Sequence, residues 1–546
     1  MTRHQRTVLV ACILATAVVL VDSTVVNVAL PAIERELGGG LAGQQWASNA
    51  YLLTLGALLL VGGSLGDIFG ERRIFTAGVV GFGVTSVLCA LAPTIEILVA
   101  ARALQGVAGA LLTPAALAVI VATFSGQERG RAIGAWTAWA GIGAVLGPLV
   151  GGQIVDTASW RWIFAINVPL LVVTLVLISR TMKAGERAEG GKVDVLGGAL
   201  CAIGLGGMTY GLIEQPLRGF GDPLVLGSLL AGAALFAAFL AHERRTPAPM
   251  LPLELFKRRN FAIGNVQTLT MYGGLGLMFF FLILFLQQVA GYSALEAGTA
   301  TLPVSIVMFF LSTRFGALAD RFGPRLFMGA GPLVAAVGLA LLARLDRDVD
   351  YLTDLLPAVL FFALGLSMTV APLTATVLAD ADEHNAGVAS GVNNAIARVA
   401  GLIAVAAVGT VVAAQYGSRL DSELGTLADR PQLAGPVERA KRQPLAEVRA
   451  QGLQPPVRAR LAKATEAASV SAFRLGMGIS AVLVAGGGVL GLIGLRNPRR
   501  EVKCADCPGG ALTGAPREAV DTERLPRVEL PQQALARSGA GAQADR

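Results

Sequence analysis

Charge is what this chain has least of: Asp, Glu, Lys and Arg make up only 15% of its 546 residues. A water-soluble protein of this length carries roughly a quarter, so the shortage argues against a soluble fold. No Gly-x-x-x-x-Gly-Lys-[Ser/Thr] string occurs, which removes ATP as a direct energy source. Cysteine is scarce, with five residues. Cys12, Cys89 and Cys201 lie in apolar runs and read as small core residues. Cys504 and Cys507 form a lone CxxC in a polar tail, with no second CxxC or His pair to complete a four-ligand zinc site. No metal and no cofactor are therefore expected. The net charge of +7 does not imply nucleic acid, because Lys and Arg sit in short loops between apolar runs. The first apolar run is too long for a cleaved signal peptide and lacks a small-residue cleavage site, so it is expected to be a retained span.

Apolar residues and glycine are abundant instead: 54% hydrophobic, 67 Gly, mean hydropathy +0.63. Runs long enough to cross a bilayer fall at about 8–30, 46–66, 74–93, 97–123, 132–155, 162–180, 194–213, 224–241, 261–289, 297–319, 326–343, 355–379, 387–414 and 469–495. The expected fold class is an all-α polytopic membrane protein with 14 transmembrane helices. The glycine suits close helix packing within it.

One short string occurs twice. Gly63, Asp67, Gly70 and Arg72 recur about 253 residues later as Gly316, Asp320, Gly323 and Arg325, each copy ending an apolar run. A repeated charged turn implies two related helical halves, the architecture of a secondary transporter. A six-span half needs roughly 190 residues at about 20 per helix plus loops. The expected organisation is 1–193 as an N-terminal six-helix half, 194–260 as two inserted spans with a linker, and 261–495 as a C-terminal six-helix half. Residues 415–468 are expected to form a charged external loop with helix-forming stretches such as 437–451, and 496–546 a disordered cytoplasmic tail. Basic residues mark the cytoplasmic side. Arg3, Arg6, Arg72, Arg73, Arg129, Arg131, Arg180, Lys183 and Arg244 to Arg259 share one side, while the opposite short loops hold Arg35, Arg161, Arg218, Arg344 and Arg347. Both termini are thus expected in the cytoplasm; the acidic loop 380–384 runs against this but counts little in the rule.

Ionisable groups within spans are costly, about 2.5–3.5 kcal/mol on insertion scales, and usually mark a site. The candidates are Asp22 in span 1, Arg102 in span 4 and Arg398 in span 13; Glu214 falls at an outer end and reads as interfacial. At ~1.5 Å per residue, Asp22 and Arg102 lie roughly 12 and 8 Å from the outer surface, so they can meet. A static buried ion pair is one reading. A working proton site is the other: burial favours the protonated acid, a nearby guanidinium favours the charged one, and switching between Arg-close and Arg-distant states would load and release a proton.

Other patterns sit around these residues. Arg102, Gln105, Gly106, Gly109 and Thr113 fall on one helical face, as do Gly387, Gly391, Asn394, Arg398 and Gly401. Such stripes face protein or a cavity rather than lipid. Asn27, Asn49, Gln105, Asn394 and Arg398 are the candidates for the substrate path. Gly143, Gly147 and Gly151 make a smooth face in span 5, beside Gly152 and the helix-bending Pro148. In the repeated loop, Gly70 and Gly323 permit a tight turn. The recurrence points to a gate rather than a topology anchor alone, built from Gly63, Asp67, Gly70, Arg72, Arg73, Asp320, Gly323 and Arg325.

Together these strings resemble the major facilitator superfamily, and within it the 14-span drug:proton antiporter branch (EmrB/QacA type). The resemblance covers about 8–495. The repeated loop is similar to that superfamily's G-x-L-x-D-x-x-G-x-[RK] signature, and Leu98–Ala110 to its span-4 motif, whose Arg is linked to proton transfer. Gly143–Gly152 resembles the glycine-proline string of antiporters; Asp22–Pro31 and Trp160–Pro169 resemble first-span and sixth-span motifs of the 14-span branch. Pro324 replaces Glu71 in the second loop, span 12 has no counterpart of Arg102, and the 415–468 loop is long. The resemblance implies proton-coupled efflux of small amphipathic or cationic drugs across the cytoplasmic membrane. Asp22 and Arg102 would handle the proton, with no enzymatic step; partners would be a small molecule, protons and the lipid bilayer, with a monomer as default. A metabolite transporter using Arg102 or Arg398 to bind an anion, and a receptor that has lost transport, are the alternatives.

Overall fold

The structure is a computed structural model that describes residues 1–181, 194–247, 249–379, 386–425, 431–445 and 454–497. The expected tail with Cys504 and Cys507, the acidic loop, and Lys183, Arg187 and Lys192 lie outside the described residues.

Every long element among the described residues is a helix: α1 Arg3–Leu37, α2 Gly40–Phe69, α3 Glu71–Ala90, α4 Ile95–Thr123, α5 Gly126–Thr157, α6 Trp162–Thr181, α7 Val195–Arg218, α8 Pro223–Glu243, α9 Arg259–Gln288, α10 Ala294–Phe322, α11 Pro324–Leu342, α12 Tyr351–Ala379, α13 Ala386–Leu424 and α14 Pro455–Gly494. Thirteen are apolar enough to cross a membrane by length and composition, and α5 carries no charged residue between Ala132 and Val155. Side chains satisfy the helix starts. Thr94 caps α4, Asp194 caps α7, Asp222 caps α8, and Thr2 and Ser293 form capping boxes with Gln5 and Glu296. Gly70 and Gly323 end α2 and α10 at φ +90° and +89°, a backbone region other residues rarely adopt.

The helix pairings occur twice. α2 packs on α4, α1 on α5, α3 on α4 and α6, and α1 on α6; correspondingly α10 packs on α12, α9 on α13, α11 on α12 and α14, and α9 on α14. The two sets touch through α2 with α13, α5 with α10, and α1 with α9. α7 and α8 pair with each other, and α7 rests on α2 and α13. The apolar stretch of α9 is 72% buried against 17% for α8, so α9 is central and α8 peripheral. Leu224, Leu226 and Leu230 on α8 and Phe309 and Phe310 on α10 are exposed, as a lipid-facing surface requires.

The 415–468 region differs from the expected loop. α13 continues to Leu424 and α14 begins at Pro455, so at 39 and 40 residues these helices run about 60 Å, twice the ~30 Å hydrocarbon core. The expected stretch at 437–451 appears as a helix at Pro431–Arg442; 446–451 lies outside the described residues. Hydropathy marks where apolar sequence ends, not where helix ends. The Ala-, Leu- and Arg-rich continuation keeps its helical preference, and Leu420, Leu424, Leu433, Val437 and Leu461 bury one another. This assembly seats on the ends of α1 and α2 away from the N-terminus: Gln443 donates to Glu34 at 2.8 Å, and the Arg442 carbonyl lies against Gly40.

Candidate functional site

Asp22 and Arg102 meet in the interior of the first helix set, 0% and 1% exposed, as an ion pair between Arg102 Nη1 and Asp22 Oδ2. Glycine permits the approach. A methyl at Gly106 would sit 2.1 Å from Thr54 Oγ1 and 2.3 Å from the Tyr51 carbonyl, so α4 lies hard against α2 one turn from Arg102. Arg102 also donates to the Ala47 carbonyl at 3.1 Å and to Gln105 Oε1 at 2.6 Å, and lies over the Tyr51 ring at 4.3 Å. The second Asp22 oxygen accepts from Gln105 Nε2 and from Asn167 Nδ2, each at 3.0 Å. Ser86 accepts from Gln105 at 3.0 Å and from Asn167 at 3.4 Å. Asp22 thus holds three hydrogen bonds from Arg102, Gln105 and Asn167, the satisfaction a buried carboxylate needs.

Gln105 belongs to this cluster and is not among the residues that line the cavity beside it. Asn167, Ser86 and Tyr51 carry no formal charge and escape a search for ionisable residues. Asn167 carries a signal, a single polar group in an otherwise apolar run and inside the Trp160–Pro169 string; Ser86 beside Thr85 and Tyr51 in a polar stretch carry none.

A cavity of about 430 Å³ lies beside the cluster, between the two helix sets. Asn27, Asn49, Asn394 and Arg398 line it, joined by Ser48, Tyr272, Phe279, Phe280 and Pro148. α1 and α2 separate it from the cluster. Ser23, Thr24 and Asn27 of α1 face the cavity while Asp22 faces inward; Ser48 and Asn49 of α2 face the cavity while the Ala47 carbonyl holds Arg102.

The glycines of α5 grip α1 around Asp22. A methyl at Gly143 would meet Ala17 at 3.2 Å, one at Gly147 Thr24 Oγ1 at 2.2 Å, and one at Gly151 Val25 Cγ2 at 2.1 Å. The other side of α5 meets α10: a methyl at Gly152 would lie 2.6 Å from Leu295 Cα, and one at Gly298 2.5 Å from the Pro148 carbonyl. Asp156 caps α10 from α5. Gln287 donates to the Val28 carbonyl at 3.0 Å and Gln45 to the Val405 carbonyl at 2.8 Å. These contacts join the two sets toward the end away from the termini.

The repeated loops are the connections α2–α3 and α10–α11. Gly63 and Gly66 lie on α2 before the turn and Arg72 and Arg73 on α3 after it; the side chain of Asp67 lies outside the described residues, and Asp320 sits in the last turn of α10. Arg325 reaches α14 of its own set, with Nε 2.5 Å from the Leu492 carbonyl, and its amide donates to Asn497 at 3.1 Å. These contacts run within one helix set rather than between the two. Glu214 takes a hydrogen bond from Trp46 of α2 at 3.3 Å and pairs with Arg218 at 3.2 Å, near the C-terminal end of α7.

The sequence profile of the Major Facilitator Superfamily matches residues 12–405. The chain is 38% identical over 414 residues to the puromycin resistance protein pur8 of Streptomyces alboniger, covering 74% of this chain and 81% of that protein. It is 37% identical over 423 residues to a probable actinorhodin transporter of Streptomyces coelicolor, covering 75% and 73%. It is 35% identical over 454 residues to the tetracenomycin C resistance and export protein of Streptomyces glaucescens, covering 82% of each. Among solved structures, a bacterial homolog of the human lysosomal transporter Spinster superposes with a TM-score of 0.61 at 17% identity, covering 91% of this chain and all of that one, a likeness of fold alone.

Proposed function

The chain belongs to the Major Facilitator Superfamily, and from that premise we propose that it exports small amphipathic drugs or antibiotics in exchange for protons. It is a multi-pass membrane transporter and not an enzyme. Export rather than uptake rests on the relatives named for resistance to puromycin and for export of tetracenomycin C.

The Asp22 cluster carries the proton reading. A carboxylate held by a guanidinium and two amides, sealed from water behind the cavity wall, is a costly arrangement for structure alone. When Asp22 takes a proton, Arg102 is not stranded: the Ala47 carbonyl, Gln105 Oε1 and the Tyr51 ring still hold the cation. The guanidinium is therefore able to leave Asp22 at modest cost, which makes the pair a switch. α1 and α2 transmit it, since each shows one face to the cluster and the other to the cavity. One proton moving inward is worth about 2.3 kcal/mol per 100 mV, enough to sustain a roughly 50-fold gradient of a neutral drug at 1:1 exchange.

The working unit is a monomer in the cytoplasmic membrane with both termini cytoplasmic. Residues 1–193 and 261–495 rock against each other and 194–260 is inserted between them. The matching helix pairings of the two sets support this division. The repeated loops serve the gate at the cytoplasmic end, and the α5–α10 seam closes the outer end. Accumulation of a fluorescent drug in cells producing the chain tests the function. Uncoupler should raise accumulation to the level of cells lacking the protein; efflux that survives collapse of the proton gradient rejects proton drive.

A further inference from the structure

The cavity holds one charge and nothing to balance it. Arg398 of α13 lines it, no carboxylate does, and among the described residues Arg398 makes no hydrogen bond or ion pair. Its Cβ lies close to α2: a methyl on Gly56 would be 3.4 Å from it. Arg102 is consumed by Asp22, and among the residues lining the cavity Arg398 alone is charged. A second group points the same way. Asn49 is 1% exposed, lines the cavity, and its Nδ2 is a buried donor without a partner. Asn394 gives one N–H to the Ser390 carbonyl at 3.0 Å, whereas Arg398 is the charged donor of the cavity and Asn49 Nδ2 a fully buried one without a partner. Buried donors of this kind are costly until an acceptor arrives. Around them Tyr272, Phe279 and Phe280 offer aromatic faces, and about 430 Å³ suits a drug-sized molecule.

We propose that the cavity selects planar aromatic compounds bearing an anionic or strongly accepting oxygen, a carboxylate, phenolate or quinone-type carbonyl, docked on Arg398 and Asn49, and disfavours lipophilic cations. The proposal rests on the exporter reading for the role of this cavity and narrows its substrate class. A cation placed there meets Arg398 with no acid lining the cavity to offset the repulsion, Asp22 being turned away and paired with Arg102.

Two xanthene dyes of similar frame separate the possibilities: fluorescein, an anion, and rhodamine 6G, a cation. Binding of each to the purified full chain in lipid nanodiscs is read by fluorescence anisotropy, without a proton gradient. Fluorescein should bind about tenfold tighter or more, and Arg398→Gln should erase that preference, as expected for loss of a charged hydrogen bond. Arg398→Lys should keep part of it. Equal or tighter binding of rhodamine 6G to the unaltered chain overturns the proposal whether or not the variants fold, and so does unchanged fluorescein affinity in a folded Arg398→Gln protein. Because no gradient is applied, selective binding combined with uncoupler-insensitive efflux would sink proton drive and leave this assignment standing.

Discussion

Asp156, in the last turn of α5, accepts the backbone amide of Leu295 in the first turn of α10, at 2.8 Å through Oδ2, while its Oδ1 takes the neighbouring Ala294 amide at 3.0 Å. The carboxylate neutralises the free N–H groups of a helix that belongs to the other set, a favourable use of the positive helix end. The contact sits one turn beyond Gly152 and two beyond Pro148, so polar capture and glycine packing close the same seam.

Asp156→Ala should therefore loosen that seam. Deuterium uptake should rise together in peptides spanning 148–157 and 294–301, while Asp156→Asn, which keeps one acceptor, gives a smaller rise. Faster exchange confined to the two capped amides would reduce Asp156 to a local helix cap.

Gly106 decides how close α4 comes to α2. Gly→Ala within a helix ordinarily gains up to about 1 kcal/mol. Here the added methyl would fall 2.1 Å from Thr54 Oγ1 and 2.3 Å from the Tyr51 carbonyl, and overpacking of that kind costs about 1–3 kcal/mol or more. Gly106→Ala should lower the melting temperature of the purified protein, whereas Gly130→Ala, with open space around it, should not. A stable Gly106→Ala protein with normal efflux would show that the α2–α4 spacing does not matter to the cluster.

The sequence made much of this legible because a membrane leaves few choices. Asp22 and Arg102 stand out since charge within an apolar run demands a reason, and helical rise alone puts them at one depth. The matched turns at Gly70 and Gly323 were visible as a repeat because a positive φ admits little but glycine. Asn167 and Ser86 were not visible as partners of Asp22, because their role depends on how α3 and α6 rotate, which local pattern does not fix. Gln105 shares a helical face with the glycines, and that face turned out to look into the cluster rather than the cavity. The length of α13 and α14 was hidden because helicity beyond the apolar run leaves no hydropathy signal.

Asp350 gives a pH dependence outside the spans. It precedes α12 and accepts from the Thr353 amide at 2.8 Å, the Thr353 hydroxyl at 3.1 Å and the Leu352 amide at 2.9 Å. The Thr353 backbone bond first, then its hydroxyl and the Leu352 amide, hold the carboxyl below its ordinary value of 3.8. A depressed value in the folded state means that the stabilisation is present above the unfolded pKa and is lost as pH falls through the folded one. Asp350→Ala should lower the melting temperature slightly at neutral pH, and the two proteins should converge in strong acid. A difference that persists unchanged below pH 3 would assign the effect to packing instead.

Asp22→Asn isolates the proton. Asparagine keeps the volume and one acceptor but binds no proton, and it removes the charge opposite Arg102. Breaking a buried ion pair from one side costs about 3–5 kcal/mol when the partner is left bare; here the Ala47 carbonyl and Gln105 still hold Arg102, so the variant should fold and remain in the membrane. In sealed vesicles with an imposed proton gradient, drug accumulation should fall from the roughly 50-fold available at about 100 mV to no gradient at all. Exchange of labelled for unlabelled drug needs no net proton movement and should continue. Gradient-driven accumulation that survives in Asp22→Asn would leave Asp22 and Arg102 as a structural pair, while loss of exchange along with accumulation would mean that Asp22 is needed for the conformational cycle itself rather than for its coupling.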